Sequence, residues 1–134
     1  MTTRRAWTAA KKAAMLGKIR ALCATFPKAT ERPSHGSPSW FIDGKKSFAS
    51  VTDDHHGDGR FALWCAAADG AMAMLVDSEP DHYFVPPYVA HLGWVGVHLD
   101  RAPWSSIASA LEQAYLQRAP AKLAALVRAQ NTKD

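Results

Sequence analysis

Apolar residues recur at helical spacing near the start of the chain. Met15, Ile19, Leu22 and Phe26 follow at steps of four, three and four, while Lys11, Lys12, Lys18 and Arg20 take the other faces. The spacing predicts a helix over residues 8–26, ended by Pro27. The next segment, KATERPSHGSPSW at 28–40, is rich in Pro, Ser and Gly and predicts a loop. The period then changes to two. Residues 39–43 and 45–52 predict a hairpin around Asp43-Gly44, a favoured pair where both central residues need positive φ. A polar turn, DDHHGDG at 53–59, leads to a third strand at 60–66, with Phe61, Leu63 and Cys65 on one side and Ala62 and Trp64 on the other.

Residues 68–77 predict a short helix around Met72, Leu75 and Val76. A fourth strand at 82–86 stops at Pro86-Pro87, and a fifth at 93–99 carries Val95, Val97 and Leu99 on its core side. Pro103 opens a long helix where its missing N–H costs nothing, with a stripe of Trp104, Ile107, Ala108, Leu111, Ala114 and Tyr115. A last short helix holds Leu123, Leu126 and Val127. The order is helix, three strands, helix, two strands, two helices. It predicts an α+β, two-layer sandwich, in which helices back a five-stranded antiparallel sheet. The 134 residues fit one domain over 1–134, with frayed ends at 1–7 and 129–134.

Composition changes this picture little, charge more. No apolar run reaches the roughly 18–20 residues of a membrane span, so no membrane partner is expected. Cys23 and Cys65 lack CxxC spacing and fall in core patterns, which points to reduced, buried thiols in a cytoplasmic protein. The formal charge of +4 is uneven. Residues 1–46 hold ten Lys/Arg and two acids, a net of +8; residues 53–82 hold one Arg and seven acids, a net of −6. Such a dipolar chain permits an anionic partner on its basic side, with the acidic segment turned away.

The chemistry-bearing stretch is DHYFVPPYVAHLGWVGVHL at 81–99. Together with SHGSPSWFIDGKKSFASV and WSSIASALEQAYLQRAPAKLAA it resembles the MmcQ/YjbR family. The matching residues are His35, Gly36 and Pro38; Gly44, Lys46, Phe48 and Ala49; Phe84, Pro87 and Tyr88; Trp94, Val95 and Leu99; Trp104, Ala119 and Pro120. The resemblance covers roughly residues 15–127, and departs from the family where Pro103 replaces a common acidic helix cap. It implies a compact α+β fold, likened to type III secretion chaperones and to frataxin, and a DNA-binding role that itself rests on fold analogy.

Four chemistries can be weighed on these residues. His55 and His56 follow Asp53 and Asp54, but neighbours in a turn rarely converge on one ion, so a hydrophilic hairpin tip without metal is expected. No G-x-S-x-G elbow and no phosphate loop occurs, so no catalytic residue and no cofactor is assigned. For DNA, or another anionic partner, the candidates are Lys45, Lys46 and Arg32 near the hairpin and Lys11, Lys12 and Lys18 on the helix, with Arg4 and Arg5 before it. Trp40, Trp64 and Tyr88 are candidates for stacking on bases. For a small-molecule or protein ligand, Tyr88 and His91 stand on the loop after Pro86-Pro87, and His35 and Lys46 belong to motifs that can come close to it. Trp94 and Trp104 read as core.

Overall fold

Thr8 opens the first helix: its hydroxyl accepts from the Lys11 N–H at 3.2 Å, capping one of the free amides of the first turn. In the computed structural model, which describes residues 7–131, this helix, α1, runs Ala9–Cys23. Its buried stripe is Met15, Ile19 and Cys23, with Leu22 only half-buried. Arg20, in the last turn, forks onto both carboxylate oxygens of Glu31 at 2.9–3.1 Å, and this hydrogen bonding raises the guanidinium pKa.

Glu31 sits in a strand that the sequence pattern does not announce. Residues 28–40 do not form a loop: β1 (Ala29–Ser34) pairs antiparallel with β2 (Ser37–Ile42). The turn between them is His35-Gly36, with φ of 51° and 79°, a two-residue hairpin turn with both central residues at positive φ. Pro33 misleads a reading of the segment as loop. It is tolerated because β1 is an edge strand, where a missing N–H removes no ladder bond from the outer side. The sheet therefore has six strands rather than five, in the order β1-β2-β3-β4-β6-β5, all neighbours antiparallel. The other members are β3 (Lys46–Asp53), β4 (Phe61–Cys65), β5 (Tyr83–Phe84) and β6 (Val95–His98). Asp43-Gly44 makes the expected turn, with φ of 55° and 68°.

A bulge divides β3. Trp40 pairs with Ala49 but Phe41 pairs with Ser47, so Phe48 is an extra residue. Phe48 turns to the helical side, where it meets Phe26 and Tyr115 at ring separations of 6.2 and 5.5 Å. Ala66 N–H donates to the Phe48 carbonyl, and Arg118 Nε donates to the Ser47 carbonyl at 3.1 Å, so both carbonyls of the bulge are paired.

The helices are α1, α2 (Ala71–Ser78), α3 (Trp104–Arg118) and α4 (Ala121–Asn131). Ile107, Leu111, Ala114 and Tyr115 of α3 join Ile19 and Cys23 of α1 over Ala49, Val51, Leu63, Cys65, Val95 and Val97 of the sheet. Both thiols are free and buried in this core, and burial pushes each up to about 12. Of the ends expected to fray, Trp7 packs against Phe61 and α4 extends to Asn131, whose amide donates to Glu112 at 2.8 Å. Residues 1–6 and 132–134, with Arg4 and Arg5, lie outside the described residues. Among the described residues no helix is long and apolar enough to cross a membrane.

Candidate functional site

Residues opposite one another on neighbouring strands share a face. One such row crosses all six strands: Arg32, Ser39, Ser50, Trp64, Gly96, Phe84. It lies on the face away from the helices, since Cys65, the next residue of β4, directs its thiol to the Ala110 carbonyl of α3. One half of this face is covered. Gly96 leaves a gap that the Phe84 ring fills; a Cβ at Gly96 would lie 2.5 Å from the ring. Arg60 stacks on the outer side of Phe84 at 4.2 Å, and His98 packs beside it at 4.7 Å.

The other half is open, and above it lies a cavity of about 840 Å³, within the usual size of ligand clefts. Ser39, Phe41, Ser47, Ser50, Thr52 and Trp64 form its floor on β2, β3 and β4. His35, His55, His56, Tyr88, Val89 and Trp94 line its rim from three turns. None of the lining residues is Asp, Glu, Lys or Arg.

The rim is held in costly backbone. His35, His56 and Tyr88 have φ of 51°, 50° and 67°, and Asp54, which leads into the histidine turn, has 53°. Left-handed non-glycine residues persist only where their surroundings fix them, and they gather at functional sites. Asp54 is fixed by its carboxylate, which accepts the Gly59 N–H at 2.7 Å, and by its own N–H, which donates to the Arg60 carbonyl at 2.8 Å. Tyr88 follows Pro86-Pro87, and Val89 N–H closes back onto the Pro87 carbonyl at 2.7 Å.

Rings knit the rim to the floor. His55 meets Trp64 edge-on at 4.9 Å, His56 at 4.2 Å and Tyr88 at 5.7 Å. Segment 53–59 is solvent-exposed as expected, except that His55 is partly buried and packs on Trp64. Among the described residues no cluster of three His, Cys, Asp or Glu could hold a metal.

The polar accounting of the floor is incomplete. Ser39 donates to the Ser37 carbonyl at 3.0 Å and shares a 2.7 Å hydrogen bond with Ser50. Thr52 Oγ1, Trp64 Nε1 and His55 Nε2 are buried with no partner. All three belong to residues of the cavity lining.

The structure brings together only some of the residues singled out from sequence. His35 and Tyr88 share the cavity; His91, exposed in the 3-10 turn Ala90–Leu92, and Lys46, exposed at the start of β3, do not line it. Trp64 is in the floor, whereas Trp40 is buried on the helical side. Trp94, expected in the core, is buried and also lines the cavity. Among the cations, Lys12 is ion-paired to Asp53 at 2.8 Å, so the basic helix and the acidic segment touch instead of facing apart. Lys18 lies over Trp104 at 4.4 Å, and Arg32 over Phe41 at 3.6 Å. Lys11, Lys45 and Lys46 are exposed. Of the residues lining the cavity, sequence reading did not single out Ser50 and Thr52, and it set His55 and His56 aside as a hairpin tip. The usable signal was the alternation in β3, where Ser50 and Thr52 interleave with the apolar Ala49 and Val51.

A search of curated proteins gives no match. Among solved structures, the crystal structure of the Deinococcus radiodurans protein DR2400, described with a DUF419 domain, is similar in fold. Its TM-score is 0.67 at 17% identity, over 86% of each chain. The YjbR family model matches residues 24–117, a span that begins just after α1, takes in every strand and ends in the last turn of α3. With six antiparallel strands, a helical layer on one face and that match over most of its length, the chain belongs to the YjbR family.

Proposed function

We propose that this protein is a binding module that takes a small molecule onto the open face of its sheet. One observation carries the reading: the cavity of about 840 Å³ on that face is walled by the rings of Phe41, Trp64, Tyr88 and Trp94 and floored by the hydroxyl-bearing residues Ser39, Ser50 and Thr52. The aromatic walls supply apolar contact and the polar floor fixes orientation. Trp64 and Trp94 both line the cavity, so intrinsic fluorescence reports its occupancy. Titration with 8-anilinonaphthalene-1-sulfonate and with a panel of small heteroaromatics should give a saturable change, weakened in Tyr88→Ala and His55→Ala. A linear, unsaturable response, or one indifferent to both substitutions, rules the cavity out.

A second reading, nucleic-acid binding, has a narrower footing. Arg32 donates to the Gly44 carbonyl at 2.9 Å, which sets its guanidinium beside the turn that carries Lys45 and Lys46. These three cations form a basic corner; Lys11 is exposed on α1 but stands beside Lys12, which pairs with Asp53 at the other end of β3. With so few phosphate contacts, affinity should be weak and salt-dependent, with a slope of about −0.9 per contact on duplex DNA. Titration of labelled duplex and single-stranded DNA at low and physiological salt, with a Lys45→Glu/Lys46→Glu variant, tests it. No binding at low salt ends this reading.

A further inference from the structure

We infer that the ligand of this cavity is an aromatic acid: a flat ring packed among Trp64, Tyr88 and Trp94, joined by a short linker to a carboxylate or phosphate that seats on Arg32. The inference rests on the small-molecule reading above and follows from what stands at the β1 end of the open face. Arg32 lies directly opposite Ser39, a lining residue, and the two share that face. Its guanidinium lies over the Phe41 ring at 3.6 Å, and Phe41 is itself part of the lining. A lining without Asp, Glu, Lys or Arg thus ends on a cation.

That cation is fixed in place and has no anion of its own. Arg32 Nη1 donates to the Gly44 carbonyl at 2.9 Å, and the stack on Phe41 holds the plane of the group. A guanidinium has five N–H donors, and this bond uses one. Among the described residues no carboxylate forms an ion pair with Arg32. The residue is exposed, so an anion from solvent has access to it. Surface ion pairs are usually weak because two long side chains must be ordered together. Here the cation is ordered before the anion arrives, and no acid in the cavity lining opposes it.

The neighbouring cations do not serve as well. Lys46 stands opposite Ile42, a core residue, and so takes the helical side of β3. Lys45 belongs to the turn between β2 and β3. Arg60, over the covered half of the face, is stacked on Phe84 and pairs with Asp58 at 4.0 Å. Spacing sets the shape of the ligand. Trp64 on β4 is two strands from Phe41 on β2, about 10 Å at ordinary strand separation. A ring packed on Trp64 therefore needs a linker of a few atoms to bring its anion to Arg32.

Calorimetric titration of the full chain tests this with three probes: 4-(2-naphthyl)butanoate, its neutral primary amide, and 3-(2-naphthyl)propyl phosphate. At least one of the two anions should bind about five-fold or more tighter than the amide, and the tighter of them names the head group. Added salt should shrink that advantage. Arg32→Gln should bring all three probes to within about two-fold of one another, with amide binding unchanged. Lys45→Gln/Lys46→Gln should keep the preference, which separates a seat on Arg32 from general attraction to the basic corner. Melting temperatures confirm that both variants fold. Anions that bind no tighter than the amide, a preference that survives Arg32→Gln, or one that the lysine variant also abolishes, overturns the seat on Arg32 and leaves the cavity standing as a ligand site. Binding of none of the three, with no tryptophan response, overturns both.

Discussion

The Tyr115 hydroxyl donates to the Pro27 carbonyl at 2.6 Å, tying the last turn of α3 to the chain as it leaves α1. The ring is fully buried, stacked on Phe26 at 4.9 Å and edge-on to Phe48 at 5.5 Å. Tyr115→Phe keeps the rings and leaves a carbonyl unpaired. It should lower stability by about 1–3 kcal/mol, seen as a lower urea midpoint at unchanged slope. An unchanged midpoint would show that water replaces the hydroxyl.

Gly96→Ala should be destabilising for a different reason. The added methyl would stand 2.5 Å from the Phe84 ring, which has Arg60 stacked on its outer side. Overpacking of this kind costs about 1–3 kcal/mol. If the ring is the obstacle, Phe84→Leu should absorb much of the penalty, and a double-mutant cycle should give a coupling of about 1 kcal/mol. Additive effects would place the strain elsewhere.

Alkaline pH should unfold the protein earlier than its surface charges imply. Burial raises Cys23 and Cys65 from 9.0 to about 12, and raises Tyr115 from its ordinary value. Raised acids hold their protons more tightly folded than unfolded. Their stabilisation is complete below pH 9 and is lost as the pH climbs toward 12. The loss should be about 1.4 kcal/mol per pH unit for each thiol. Cys23→Ala and Cys65→Ala should each flatten the fall in denaturation midpoint between pH 9 and 11. Below pH 9 both thiols should resist a thiol reagent until denaturant is added. Rapid labelling of either in the native state contradicts the burial.

Tyr88 separates backbone strain from side-chain role. At φ 67° and 65% exposure it gains little from burial. Tyr88→Gly should hold or raise stability, because glycine adopts this conformation freely. Tyr88→Ala should be about 1 kcal/mol less stable than the glycine variant. An alanine variant as stable as the glycine one would mean that the turn relaxes.

The long elements were legible because their periodicity is strong. The stripes of α1 and α3, the alternation of β4 and the Asp43-Gly44 turn all follow from spacing alone. β1 was not legible: its Glu31, Arg32 and Pro33 are exposed on an edge, so nothing apolar marks it, and its turn uses His35 where Asn or Asp is the usual signal. The floor was hidden for a related reason. Polar residues inside a strand ordinarily mark a face turned to water, and only the fold of turns 53–59 and 86–94 over Ser50, Thr52 and Trp64 makes that face a cavity. The Lys12–Asp53 pair joins residues 41 apart and defeats any argument from charge blocks along the chain.

The extra residue at Phe48 sets the parity of β3. Ser47 and Ser50 are three positions apart, an odd number, yet they look out of the same side of the sheet. Remove one residue between them and every position on one flank of the deletion changes sides: either Ser50 and Thr52 turn toward α3 while Ala49 and Val51 surface, or Ser47 and Phe41 fall out of step. A strand of regular pleat could not serve an oily interior and a hydroxyl-bearing floor in this register. The length of the chain here is therefore as specific as its side chains. Point substitutions in the floor can vary what is bound, but a one-residue insertion or deletion within 47–49 trades the two surfaces of the strand and takes the fold with it.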